Sequence, residues 1–155
     1  MHSKVLEELI KNGVPYKEIK HADFTCEIKS PNDFARVLQI DLVRITKSVF
    51  LRIKNKDHFL MAVCSCKDKL DLPKLANLAG YGKLEIASKD KLNEVIGYPA
   101  NGVCAIGVPV DVFMEESLLV YDRILTGAGV AGIEIEIDPK DLARISHAQL
   151  ANIII

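Results

Sequence analysis

The stretch Ile45-Thr46-Lys47-Ser48-Val49-Phe50-Leu51-Arg52-Ile53 alternates with the two-residue period of an extended strand. Ile45, Lys47, Val49, Leu51 and Ile53 share one face, and Thr46, Ser48, Phe50 and Arg52 share the other. Asn55-Lys56-Asp57 supplies turn residues, and His58 to Cys66 returns as a second apolar strand. The stretch therefore reads as a β-hairpin with both faces largely covered. Lys47 is the only charge on its face.

Working outward toward the N-terminus, Ser30-Pro31-Asn32-Asp33 supplies a cap, a proline at the first helical position and an early acid ahead of Phe34, Val37 and Leu38. Before it lies an extended piece, Tyr16 to Lys20. Val5, Leu6, Leu9 and Ile10 repeat at helical spacing behind Ser3 as N-cap, with Asn12-Gly13 closing that helix. Toward the C-terminus, Leu72 to Ala79 forms a helix with Pro73 near its start and Gly80 past its end, and Lys83 to Ala87 fits a short strand. Ser88 caps a helix whose buried stripe is Leu92, Val95 and Ile96, with Gly97 just past its end. Val110 to Met114 and Leu118 to Tyr121 read as strands, and Thr126 to Gly129 as a turn. Ile133, Ile135 and Ile137 alternate with Glu134 and Glu136 in a half-exposed strand, and Asp138-Pro139 opens a last helix to about Ile145. Helices and strands alternate without a regular βαβ rhythm, which predicts an α+β fold with a mixed sheet. The tail Ile153-Ile154-Ile155 is too apolar for water and packs either at home or on a partner.

The 155 residues predict a single domain over 1–155, large enough to bury a proper core. Hydrophobic residues make up 49% and charged residues 26%, which argues against disorder. Twenty basic and 21 acidic residues leave a net charge of −1, which excludes a global field able to hold a long nucleic acid through many phosphates. A contact with a nucleic-acid end needs only a few local cations and stays open. The longest uncharged run, Val95 to Val110, carries three glycines and two prolines and does not read as a membrane span. Lys4, Glu7 and Glu8 interrupt the apolar pattern at the N-terminus, so no signal peptide is read and a cytoplasmic protein is expected. In that setting the cysteines at 26, 64, 66 and 104 read as free thiols, and Cys64-Ser65-Cys66 lacks the second pair or histidines of a zinc site.

Gly97-Tyr98-Pro99-Ala100-Asn101-Gly102-Val103-Cys104-Ala105-Ile106-Gly107-Val108-Pro109 fits neither helical nor strand period. It is either a string of tight turns or a loop whose backbone meets a ligand. It lacks the pattern of a P-loop or a dinucleotide fingerprint. Lys47 likewise has several readings. An ammonium in an aliphatic row pairs with an internal carboxylate, has a lowered pKa, faces a cavity for an anionic ligand, or snorkels to solvent. Glu134 and Glu136 fit the solvated face of an edge strand better than an acid/base pair. His21, His58 and His147 lack a sequence-local partner and read as surface or satisfied core residues. Cys104 reads as a small buried residue rather than a nucleophile.

Four ordered blocks carry a more specific signal: Thr46-Lys47-Ser48-Val49; Leu70-Asp71-Leu72-x-Lys74-Leu75; Gly97-Tyr98-x-x-x-Gly102-Val103-x-x-x-Gly107; and Gly129-x-x-Gly132-Ile133-Glu134-Ile135. Together they resemble the YbaK-type aminoacyl-tRNA editing domains, relatives of the domain inserted in bacterial prolyl-tRNA synthetases. The likeness covers roughly Val5 to Ser146. It implies a mixed, partly barrel-like β-sheet flanked by helices, and a free-standing trans-editing deacylase that hydrolyses the ester of a transfer RNA mischarged with alanine, cysteine, serine or threonine. It also implies that Lys47 holds the phosphate and ribose of the terminal adenosine. Lys47, Asn101 and Gly102 would be catalytic, with loop amides orienting the water and the ester carbonyl. Gly97, Tyr98, Val103, Cys104, Ala105, Gly107, Gly132 and Glu134 would bind substrate. No metal and no cofactor is implied; the partners would be the transfer-RNA acceptor end and an aminoacyl-tRNA synthetase, and no membrane. Arg44, Lys67, Lys69 and Lys74 are candidates for the acceptor stem. The family loop usually carries two consecutive glycines and a later proline where this chain has Asn101 and Ala105, and Asn101 tolerates left-handed geometry. Glu134 replaces the aspartate of near relatives. The alternative is a non-catalytic member of the same fold that binds transfer RNA or a synthetase, with the isoleucine tail as one route.

Overall fold

The computed structural model describes residues Met1–Ile155. In chain order the elements are α1 (Ser3–Lys11), β1 (Tyr16–Lys20), α2 (Pro31–Leu38), β2 (Thr46–Ile53), β3 (Phe59–Ser65), α3 (Leu72–Ala79), β4 (Leu84–Ile86), α4 (Lys89–Val95), β5 (Asp111–Glu115), β6 (Ile124–Gly127), β7 (Ile133–Ile137), α5 (Pro139–Ile145) and β8 (Gln149–Ala151). Short 3-10 turns lie at His21–Asp23, Leu42–Arg44 and Glu116–Val120.

Local chemistry sets most helix starts. The side chains of Ser30, Asp71, Ser88 and Asp138 each accept a backbone N–H from the first turn of α2, α3, α4 and α5. The first helix departs from expectation. Its cap is His2, whose imidazole accepts from the Lys4 amide at 3.1 Å, so Ser3 is the first helical residue.

The strands form two sheets. One is antiparallel with order β1-β7-β6, and the other is mixed with order β4-β2-β3-β5-β8. Within the second, β2 is antiparallel to β3 and β4, whereas β3 and β5, and β5 and β8, run parallel. The predicted α+β class with a mixed sheet flanked by helices is what the chain adopts. The sheets do not close; they meet where Ile45 bridges Leu125 and the Thr46 hydroxyl donates to the Leu125 carbonyl at 2.7 Å.

Alternation on β2 and β3 feeds two cores. Phe50, Met61 and Val63 face the main core with Val5 and Leu9 of α1, Tyr98, Met114, Ile135 and Leu142. Leu51, Ile53, Leu60 and Ala62 face a second core under Leu75 and Ala76 of α3. Burial on both faces explains why every residue of β3 is buried.

Two readings are overturned here. Leu118–Tyr121 is no strand: Glu116–Val120 is a 3-10 turn with Leu118 inside, held by the buried Glu115 carboxylate, which accepts the Ser117 amide at 3.3 Å. Thr126–Gly129 is not simply a turn, because Ile124–Gly127 is strand β6, paired with β7. The tail packs at home. Ile153 is fully buried, with its amide on the second Glu115 oxygen at 2.8 Å, and Lys74 Nζ donates to the Ile154 carbonyl. No helix is long and apolar enough to cross a membrane.

Candidate active site

Where the two sheets meet, a cavity of about 460 Å³ opens between β2, the end of β3, the turn after β1, the start of α2, the loop tip Ala100–Val103 and strand β7. Lys47, Asn101, Gly102, Val103, Gly132 and Glu134 line it. Gly97, Tyr98, Cys104, Ala105 and Gly107 do not line it, against the expectation for them.

The reason is that the outer parts of the loop are scaffold. Gly97 ends α4 with φ +83°. Tyr98 is buried, and its hydroxyl donates to the Ile106 carbonyl at 2.6 Å, closing the loop on itself. Lys4 Nζ stands 4.8 Å from the Tyr98 ring centroid and donates to the Ile96 carbonyl at 2.8 Å, clamping the loop base to α1. Cys104 and Ala105 are core residues. Gly107, at φ +71°, leaves room for the Tyr98 hydroxyl, since an added Cβ would lie 3.2 Å from it.

Only the tip reaches the cavity, and a second glycine segment holds it. The Gly129 amide donates to the Gly102 carbonyl at 2.8 Å, and a Cβ on Gly102 would stand 2.5 Å from the Val130 backbone. The Gly102 amide is engaged with the Pro99 carbonyl at 3.0 Å, so it is not a free donor, whereas the amides of Asn101 and Val103 donate to no protein group. Asn101 does not use its tolerance for left-handed geometry; the positive φ values in the loop belong to Gly97 and Gly107.

Lys47 has no carboxylate partner. Its ammonium donates to the Asp68 carbonyl at 2.8 Å, which leaves two of its three N–H groups without a protein acceptor. Neighbouring Ser48 has a buried hydroxyl with no hydrogen-bond partner. Cys66 also lines the cavity, and Cys64 stands opposite Lys47 across the hairpin. Burial pushes both thiols up to about 11 despite the Lys47 charge, and pushes Cys104 up to about 12. Thiols so raised are poor nucleophiles.

Glu134 does not lie on an edge strand. β7 is the middle strand of its sheet, so Glu134 points into the cavity wall, and desolvation pushes its carboxyl up to about 7. His21, expected on the surface or satisfied in the core, stands beside it. Its Nε2 is 3.4 Å from Glu134 Oε1 without a formed hydrogen bond, its ring packs on Phe34, and burial lowers its pKa. No sequence-local signal marks this contact, because it depends on the pairing of β1 with β7.

A family model described as aminoacyl-tRNA editing domain matches residues 25–145. EbsC of Enterococcus faecalis, which carries the provisional name of a Cys-tRNA(Pro)/Cys-tRNA(Cys) deacylase, is 31% identical over 145 residues, covering 92% of this chain and 87% of that protein. The prolyl-tRNA editing protein ProX of Acetoanaerobium sticklandii is 30% identical, covering 71% of this chain and 66% of that protein. A proline–tRNA ligase of a Sulfurihydrogenibium species is 31% identical over 105 residues, which span 18% of the ligase. Among solved structures, the protein APE2540 superposes with a TM-score of 0.86 at 19% identity over 99% of this chain and all of that one. A protein described as a trans-editing enzyme for prolyl-tRNA synthetase superposes with a TM-score of 0.81 at 20% identity, covering all of this chain and 99% of that one.

Proposed function

Because this chain belongs to the aminoacyl-tRNA editing domain family, whose enzymes hydrolyse the ester of mischarged transfer RNA, we propose that it acts in trans as a free-standing deacylase for a small aminoacyl group. The observation that carries the reading is the meeting, in one cavity lining, of Lys47 with Asn101 and Val103, whose amides donate to no protein group.

Lys47 supplies a cation for the phosphate and ribose of the terminal adenosine. A partly water-excluded wall strengthens that attraction. A water oxygen adds to the ester carbonyl carbon, and the electron pair moves onto the carbonyl oxygen. The Asn101 and Val103 amides are the donors offered to that oxyanion, a role that needs no charged side chain. Collapse breaks the bond to the ribose oxygen, which takes up the proton given up by the attacking water, and frees the amino acid. Gly102 contributes shape rather than a donor. Ile28, Phe34 and Ile45 give the cavity an apolar side suited to a small residue such as alanine, cysteine, serine or threonine. The likeness to EbsC makes cysteinyl transfer RNA the first to test. Partners on this reading are the aminoacylated 3′ terminus and, through it, a synthetase, with the cytoplasm as the place of action.

The test is release of labelled amino acid from cysteinyl, alanyl, seryl and threonyl transfer RNAs carrying the wrong acceptor. Clearance of one or two of these supports the reading. Binding of transfer RNA with no turnover on any of them would replace it with a non-catalytic binding role.

A further inference from the structure

Glu134 is the one carboxylate in a cavity wall whose other charge-bearing groups are Lys29, Lys47 and His21. Its side chain is 22% exposed and makes no hydrogen bond within the protein; His21 Nε2, a buried atom without a hydrogen-bond partner, stands 3.4 Å from its Oε1. A carboxyl group left in such a place without donors is costly, and a ligand that brings donors removes the cost.

The end of an aminoacylated nucleic acid carries two opposite charges, the phosphate on one side of the ester and the α-ammonium on the other. The cavity also carries two. Lys47 sits on β2 of the mixed sheet and Glu134 on β7 of the antiparallel sheet, so the signs lie on different walls. We infer that Glu134 is the receptor for the α-ammonium group of the aminoacyl moiety, and that His21 is the positioning residue that holds one of its oxygens. The inference rests on the editing function proposed above. With its proton on Nε2, a neutral His21 donates to Oε1 after a small closure, leaving Oε2 for the ammonium. The fixed ring supports this: it packs on Phe34 at 5.0 Å between centroids, and the His21 amide donates to the Gly132 carbonyl at 2.9 Å.

The groups around Glu134 give the site a pH dependence. They are His21 from the turn after β1, Lys29 ahead of α2, Lys47 of β2, Cys66 after β3 and Cys104 of the loop. The thiols stay neutral at neutral pH, and burial favours neutral His21. Glu134, pushed up to about 7, loses a proton when the ammonium arrives. Affinity for the amine therefore rises with pH toward 7, and falls once the α-amine itself deprotonates, ordinarily at about 8.

The test measures binding of non-hydrolysable adenosine amides by calorimetry, comparing alanyl and seryl compounds with the isosteric lactoyl and glyceroyl compounds, in which a hydroxyl replaces the ammonium. Wild-type protein is expected to prefer the ammonium compounds by about 10- to 100-fold, the range of a hydrogen bond to a charged group. Glu134→Gln removes that preference, so that the ammonium and hydroxy compounds bind alike. His21→Ala reduces it and moves the pH at which it develops, and His21→Gln, which keeps a donor, restores part of it. Equal binding of both compounds, or a preference that survives Glu134→Gln, overturns the inference and leaves the deacylase reading intact. Binding of neither kind removes both.

Discussion

The amide of Gly129 donates to the carbonyl of Gly102 at 2.8 Å, joining the two glycine segments that frame the cavity. Both positions need glycine for separate reasons: a Cβ on Gly129, at φ +78°, would stand 2.6 Å from the His2 Cβ, and Gly102 packs against the Val130 backbone. A side chain on Gly102 would stand 2.5 Å from the Val130 carbonyl carbon, and one on Gly127 would strike the Val103 carbonyl.

Gly102→Ala should therefore act on both fold and chemistry. Overpacking against backbone costs about 1–3 kcal/mol, and a loop tip displaced by ~1 Å loses on the order of 100-fold in rate. Gly82→Ala, at a position with open space and ordinary φ, is the control and should stay within about 0.5 kcal/mol of wild type. Thermal melts beside single-turnover deacylation separate the two effects. A Gly102→Ala protein with wild-type rate would show that the tip geometry does not matter.

Lys47→Ala should lower deacylation by about 100- to 1000-fold, the scale of losing one preorganised electrostatic group. Stability should change little, because the ammonium forms no ion pair and holds only the Asp68 carbonyl. Full activity in the variant would remove Lys47 from the mechanism.

The Glu134 carboxyl also leaves a mark on stability. Its pKa rises from 4.5 in the unfolded chain to about 7 in the folded one, so the folded state binds more protons between those values. Stability from this group is complete below pH 4.5 and falls as pH climbs to 7. The cost above pH 7 is on the order of 3 kcal/mol. Glu134→Gln should therefore be more stable than wild type at pH 8 and no more stable at pH 4.5. Denaturant midpoints across that range check the sign; a wild-type advantage at pH 8 would contradict it.

At the C-terminus, Ile153 is fully buried whereas Ile155 is 78% exposed. Ile153→Ala should cost about 2–5 kcal/mol by opening a cavity under α3. Ile155→Ala should fall within about 0.5 kcal/mol of wild type. Equal effects on urea unfolding would mean that the tail does not dock as a buried anchor.

What the sequence determined by itself was local or periodic. Ser30-Pro31 and Asp138-Pro139 announce helix starts because cap and proline act within one turn, and the alternation from Ile45 to Ile53 announces a covered strand because side chains on opposite faces meet different surroundings. The four glycine- and lysine-bearing blocks were sufficient for the family. Tertiary structure alone decided the rest. Gly127 resembles a turn residue, yet it pairs with Glu134 at the end of β6, and it is glycine because the Val103 carbonyl lies where its Cβ would be. Tyr98 resembles a loop ligand but ties the loop shut on Ile106. Glu134 resembles a solvated acid until β1 and β6 flank its strand, and His21 becomes its neighbour only through that pairing. The physical reason is common to all of these: an environment made by residues distant in the chain leaves no periodic or adjacent trace, so burial, pKa and hydrogen-bond partners there belong to the assembled fold.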